Sequence, residues 1–240
     1  MGEALSIQSF VDRSSWAAAC AVRLTDALSG AVTAEGAAFF AGAGGSTPEP
    51  IYRAMAQAPL DWSRVTTTLV DERAVPEASP DSNAALLKRT LLTGPAAVAR
   101  FIPLFSDQIT VDRAALLATH ALNGVSRPLD AVLLGMGEDG HIASMFPENP
   151  ALEQLLALNN PPLVLAVHRS RSTAAPQQDR LSLNLPWLAC AGRVVLALTG
   201  ARKREVFERE AGSGALSSPI AQLIAARAGR SFDVLWTEQA

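Results

Sequence analysis

A chain of 240 residues, 49% of them apolar, is long enough for one large α/β unit and can build a sizeable core. Its formal net charge of −3 and the lack of any gathered basic or acidic tract argue against a nucleic-acid partner. No apolar run reaches the length of a bilayer span, so no membrane partner is expected either.

Cys20 and Cys190 are isolated, which gives neither a zinc spacing nor a disulfide framework. The N-terminal residues lack the basic start and long apolar stretch of a secretory signal. Met-Gly-x-x-x-Ser matches a myristoylation pattern only superficially, with nothing basic behind it. The expectation is a reduced, cytoplasmic home. Arg greatly outnumbers Lys, and the only lysines are Lys88 and Lys203.

Residues 9–30 read as an amphipathic helix, with Phe10, Trp16, Cys20, Leu24 and Leu28 at helical spacings and Gly30 as its stop. Residues 37–41 read as a buried strand that runs into Gly42-Ala43-Gly44-Gly45-Ser46-Thr47-Pro48. Ser46 or Thr47 suits an N-cap and Pro48 the first helical position, with Glu49, Ile51, Tyr52 and Met55 continuing the helix. Such a strand, glycine loop and helix start leave backbone N–H groups free for an anion. Taken alone, the same residues equally make an ordinary capped helix. The loop has neither the lysine of a Walker A sequence nor the dinucleotide glycine spacing.

Residues 65–70 alternate as a strand and end on Asp71-Glu72-Arg73, a triplet that fits either a sheet-edge site or a solvated charge cluster. Asp81-Ser82-Asn83 offers caps for a helix through Leu92. A short strand is expected around 100–104, and residues 112–122 form a helix stopped by Asn123-Gly124.

The central stretch is residues 129–147. Ala131-Val132-Leu133-Leu134 has the pattern of a strand buried on both faces. Gly135, Gly137 and Gly140 follow within six residues, with Glu138 and Asp139 between them and His141 after. Ile142, Met145 and Phe146 are spaced as on a helix, so a helix is expected to start here. Ligands sit beyond the carboxyl ends of strands in open α/β sheets. His141 beside Asp139 is therefore a candidate general base; the alternative is a tight turn whose histidine only caps or packs.

Residues 150–157 read as a short helix and 163–167 as a strand ending at His168, whose lone imidazole suits a packed or solvated role better than a catalytic one. The polar residues 169–179 are the candidate loop over a site. Residues 180–183 alternate with Arg180 at their mouth. A helix at 187–190, a strand at 193–198, Lys203 at a helix start, a helix at 219–227 and a strand at 232–236 complete the series. No repeat, heptad, low-complexity tract or linker divides the chain, so residues 1–240 read as a single α/β domain with a mainly parallel sheet. In that sheet the ends at 44–47, 71–73, 139–141 and Lys203 share one edge. Three scattered histidines and two distant cysteines make no zinc site, and no G-x-S-x-G elbow is present.

In this order, over residues 40–205, the motifs resemble the 6-phosphogluconolactonases of the glucosamine-6-phosphate isomerase/6-phosphogluconolactonase superfamily. The matching pieces are Gly44-Gly45-Ser46-Thr47-Pro48 with Tyr52, and Asp71-Glu72-Arg73-x-Val75-Pro76 with Ser82-Asn83. Leu134-Gly135-Met136-Gly137-x-Asp139-Gly140-His141 follows, with Ala143-Ser144 and Phe146-Pro147, then Arg180-Leu181-Ser182-Leu183 and Gly200-x-x-Lys203. Ala43, Ile142, Met145 and the ending Thr237-Glu238-Gln239-Ala240 depart from the usual pattern, which bears on substrate fit more than on reaction class.

The resemblance implies a Rossmann-like three-layer α/β/α sandwich that hydrolyses 6-phospho-D-glucono-1,5-lactone to 6-phospho-D-gluconate, a step of the oxidative pentose phosphate pathway, with no metal or organic cofactor. It implies a phosphosugar lactone as small-molecule partner, a functional link to glucose-6-phosphate dehydrogenase, and a monomer or small homo-oligomer. His141 would be the general base, Asp139 would orient it, and Asp71 would be a second acidic partner. Gly44, Gly45, Ser46 and Thr47, with the cations Arg73, Arg180 and Lys203, would hold the substrate. Two other readings remain. An amino-sugar-phosphate isomerase/deaminase is disfavoured by Arg73, where that branch usually has tyrosine. A non-catalytic sugar-phosphate sensor is disfavoured by His141 standing beside Asp139.

Overall fold

The computed structural model describes residues 6–169, 177–212 and 216–239. The first half of the chain forms β1 (Ile7–Phe10), α1 (Arg13–Glu35), β2 (Ala38–Gly42), α2 (Glu49–Ala56), β3 (Val65–Leu69) and β4 (Asp71–Arg73). α3 (Asn83–Thr90), β5 (Arg100–Phe101), α4 (Val111–Asn123) and β6 (Ala131–Leu134) follow. The second half forms α5 (Leu152–Leu156), β7 (Val164–Val167), β8 (Arg180–Leu183), α6 (Leu185–Ala189) and β9 (Arg193–Thr199). It ends with α7 (Ala201–Gly212), α8 (Pro219–Ala226) and β10 (Phe232–Thr237).

Seven strands pair in the order β1-β10-β9-β6-β2-β3-β5, every pairing parallel. All five residues of β2 and all four of β6 are buried, as expected for central strands covered by helices on both faces. Side chains alternate across a strand. Accordingly Phe40 meets Tyr52 of α2 edge-on, while its neighbour Phe39 meets Trp187 of α6. These two contacts fix helical layers on opposite sides of the sheet, the α/β/α sandwich. β3 and β5 lie to one side of β2, and β6, β9, β10 and β1 to the other. The direction of strand addition therefore reverses between β2 and β6, the place where such sheets leave a crevice.

Four local expectations are corrected. The helix expected over 9–30 is a short strand, β1, followed by α1. Asp12 caps α1 by accepting from the Ser15 N–H, and the helix runs through Gly30 to Gly36, whose left-handed backbone ends it. Neither Ser46 nor Thr47 caps α2; its N-cap position is Pro48, with no side-chain cap. The strand expected through residue 104 ends at Phe101.

No helix starts at Asp139. Residues 137–149 form successive turns, with Gly137 N–H bonded to the His141 carbonyl and Met145 N–H to that of Ile142. Ala143 has φ +48° and Glu148 φ +63°, left-handed values that a right-handed helix cannot contain. Ile142, Met145 and Phe146 are buried nonetheless, so their spacing reflects contact with the core and not a helical face.

A second sheet, β4-β8-β7, is antiparallel. It takes Asp71-Glu72-Arg73 out of the solvated-loop alternative and pairs Arg73 with Arg180 across two strands. Of the expected loop 169–179, residues 170–176 lie outside the described residues.

Candidate active site

A cavity of about 350 Å³ opens where the carboxyl ends of β2, β6 and β9 face the small antiparallel sheet. Gly44, Gly45, Ser46, Thr47, Asp71, Arg73, His141, Arg180 and Lys203 all line it. Asp139 does not reach the wall; it stands behind His141.

The imidazole is held from one side. Asp139 Oδ1 lies 2.6 Å from His141 Nδ1 and also accepts from the His141 backbone N–H at 3.2 Å. A proton on Nδ1 satisfies this carboxylate and leaves the Nε2 lone pair as the basic site. Gly137 makes the arrangement possible, because a Cβ there would overlap both His141 Nδ1 and Asp139 Oδ1. Burial pushes the Asp139 carboxyl up, but the hydrogen bond and charge of His141 and the backbone N–H groups outweigh it, leaving the group below the usual carboxylate range. The helix start expected beside His141 is absent, and the Asp139 carboxylate orients the ring. Asp71 is not a partner of the imidazole. Its carboxylate accepts from Ser144 Oγ at 2.7 Å and lies 3.6 Å from an Arg180 nitrogen.

Across the cavity, Gly44 is pressed against the amide of Asn83, which any Cβ would overlap. The turn that follows has the free donors expected of it. Among the described residues no group accepts from the N–H of Gly45, Ser46 or Thr47. Ser46 and Thr47 line the cavity instead of capping α2. Lys203, at the start of α7, has no ion-pair partner among the described residues. Adjacent unpaired N–H groups and an unpaired ammonium are the chemistry that suits an anion.

The small sheet supplies the remaining cations, and here each guanidinium has a partner in the fold. Arg73 donates to the Asp81 carbonyl at 2.7 Å and to Asn83 Oδ1 at 3.0 Å. Asn83 in turn donates to the Asp71 carbonyl at 2.8 Å. Glu72, facing away from the cavity, accepts from the N–H groups of Arg73, Asn83 and Ala84 and so closes the start of α3. The buried Nε–H groups of Arg73 and Arg180 have no acceptor among the described residues. Burial lowers the Arg180 guanidinium below its ordinary value, and Asp71 pulls it back up.

Several contributors carried no recognisable role in the sequence. Arg13 donates to the Ser46 carbonyl at 3.4 Å, bringing a further cation to the rim of the glycine loop from the start of α1. Asn83 and Ser144 lie in the matched motifs, but only their contacts reveal what they hold. His168, more than half exposed, pairs with Asp112 at 3.1 Å away from the cavity. Among the described residues no three His, Cys, Asp or Glu side chains are grouped to hold a metal ion. No helix among them is long and apolar enough to cross a membrane.

The chain matches the family model described as glucosamine-6-phosphate isomerases/6-phosphogluconolactonase over residues 11–236. It is 38% identical over 235 residues to a 6-phosphogluconolactonase of Mesorhizobium japonicum, covering 98% of this chain and 96% of that one. It is 39% identical over 234 residues to a 6-phosphogluconolactonase of Caulobacter vibrioides, covering 98% of each. The crystal structure of a 6-phosphogluconolactonase from Shewanella baltica superposes with a TM-score of 0.88 at 30% identity, covering 99% of both chains.

Proposed function

The chain belongs to the glucosamine-6-phosphate isomerase/6-phosphogluconolactonase family, and from that membership we propose that it is the enzyme hydrolysing 6-phospho-D-glucono-1,5-lactone to 6-phospho-D-gluconate. The observation that carries the reading is one cavity holding an imidazole backed by a carboxylate, free backbone N–H groups and three cations. Lactone hydrolysis needs each of these: a base for water, stabilisation for an oxyanion, and an anchor for phosphate.

In this reading His141 Nε2 takes a proton from water as the oxygen attacks the lactone carbonyl carbon. The carbonyl electrons move onto oxygen, and the oxyanion is met by a guanidinium. When that oxygen re-forms the double bond, the ring C–O bond breaks and the leaving ring oxygen takes the proton back from the imidazolium. Asp139 keeps Nδ1 protonated and stabilises the imidazolium between those steps. The N–H groups of residues 45–47 and Lys203 hold the phosphate. Arg73 and Arg180, each with an unused Nε–H, face the lactone end. In this reading the protein acts directly after a glucose-6-phosphate dehydrogenase, which makes the lactone.

The test is decay of freshly generated lactone near neutral pH, measured against its spontaneous hydrolysis. Acceleration is expected, with kcat falling by roughly 10²–10⁴-fold in His141→Ala and the unfolding midpoint unchanged. No acceleration by folded protein would sink the reading. Near-normal turnover in His141→Ala would remove the base assignment alone. Ammonia release from glucosamine 6-phosphate, assayed in parallel, would move the chain to the amino-sugar branch.

A further inference from the structure

Phe146 lies outside the cavity wall, yet it touches two groups that form it. Its ring centroid is 4.4 Å from that of His141, with the planes tilted by 39°. The Arg180 guanidinium carbon lies 5.3 Å from the same ring centroid. The ring is 7% exposed, so its own place is set by the core.

Neither functional group is fully fixed by its polar partners. The hydrogen bond to Asp139 anchors one nitrogen of His141, but the second side-chain torsion of histidine is broad, and a single anchor leaves the ring plane free to turn. Arg180 is 3.6 Å from Asp71, too long for a strong hydrogen bond, and its Nε–H has no acceptor among the described residues. An aromatic face supplies what is missing to both: a flat surface for the imidazole and an electron-rich one for the guanidinium. We propose that Phe146 is a positioning residue that uses one ring to hold the His141 imidazole and the Arg180 guanidinium in fixed relation across the cavity wall. The proposal rests on the reading of His141 as base. It extends that reading, because the ring also attracts the positive charge His141 acquires on taking the proton from water.

Two variants and two readouts test this. Phe146→Leu keeps an apolar group of similar bulk but removes the ring, whereas Phe146→Tyr keeps the ring. In Phe146→Leu, kcat is expected to fall about tenfold to a hundredfold as the base loses alignment. KM should rise only about twofold to fivefold as the guanidinium loosens. Phe146→Tyr should stay within about twofold of the parent on both, the spread of a retained aromatic contact. The second readout needs no substrate: the low-field proton resonance of the His141 Nδ1–H···Asp139 bond. It should be sharp in the parent and in Phe146→Tyr and broadened in Phe146→Leu. Unchanged kcat and resonance in folded Phe146→Leu would overturn the proposal, as would equal losses in both variants. Should the parent protein fail to hydrolyse the lactone, the proposed function falls, and the resonance comparison alone still decides the role of the ring.

Discussion

On the parallel-sheet side of the cavity, residues 44–47 and His141 sit in turns just beyond β2 and β6, and Lys203 in the first turn of α7 just beyond β9. Their polar groups are largely unspent: three N–H groups and an ammonium have no partner among the described residues. On the small-sheet side the reverse holds. Asp71 is bound to Ser144, Arg73 to Asp81 and Asn83, and Asn83 back to the Asp71 carbonyl. The first wall is available to a ligand without disturbing the fold. The second is woven into the fold, with Arg73 held by hydrogen bonds and Arg180 by Asp71 and the Phe146 ring before any ligand arrives. The same kind of substitution should therefore have different consequences on the two walls.

The largest effect is expected at Asp71. It is 6% exposed, and removing its carboxylate leaves the Ser144 hydroxyl and the Arg180 guanidinium without their acceptor and counter-charge. Asp71→Ala should lower stability by about 3 kcal/mol, read as a shift in the urea midpoint, and reduce kcat/KM as well. Asp71→Asn keeps an acceptor for Ser144 and should lose roughly half as much. A stable, inactive Asp71→Ala would mean that this wall is no more integral than the other.

Lys203 is the contrasting case. With no partner to abandon among the described residues, Lys203→Ala should leave the urea midpoint within about 0.5 kcal/mol of the parent, the usual range for a surface substitution. KM should rise roughly tenfold with kcat little changed, the pattern of a lost uniform contact. A drop in stability, or a loss confined to kcat, would break the distinction between the walls.

The contrast also explains how much was legible beforehand. The parallel-sheet wall could be read because each of its parts is local: an apolar strand, a glycine turn and a polar residue fall within ten positions, as in residues 131–141. The small-sheet wall was legible only through the resemblance. A charge triplet such as Asp71-Glu72-Arg73 fits a sheet-edge site or a solvated cluster until its partners are known, and Ser144 is 73 positions from Asp71. β1 was hidden because an edge strand of four residues carries too little pattern, with two exposed positions in the middle. The false helix after Asp139 is instructive in the opposite direction. Burial of Ile142, Met145 and Phe146 imitates a helical period, while the left-handed backbone at Ala143 leaves no trace in the residue type. Arg13 belongs to no motif, and only the approach of α1 to the glycine loop gives it a place.

The smallest expected effect concerns pH, and it separates the walls by sign. Burial pushes the Glu72 carboxyl above its ordinary value of 4.5; the N–H groups of Asn83, Ala84 and Arg73 offset this only in part, and Asp71 adds to the rise. Between the unfolded value and the higher folded one, the native protein binds more protons than the unfolded chain, so this group's contribution to stability falls as pH rises through that window and is level above it. Asp139 behaves oppositely. Its folded value lies below the ordinary 3.8, so its contribution is fully present above that value and is lost as pH falls through the folded one. Stability measured by urea unfolding from pH 3 to pH 7 should therefore show a Glu72 component that declines upward from about 4.5 and an Asp139 component that declines downward below about 3.8. Glu72→Gln should remove the first slope and leave the second. Asp139→Asn should do the reverse, because the carboxylate bracing α3 and the one beside His141 sit in separate hydrogen-bond networks. A variant that erased both slopes would show the two walls to be coupled, and the division between a woven wall and a free one would fail.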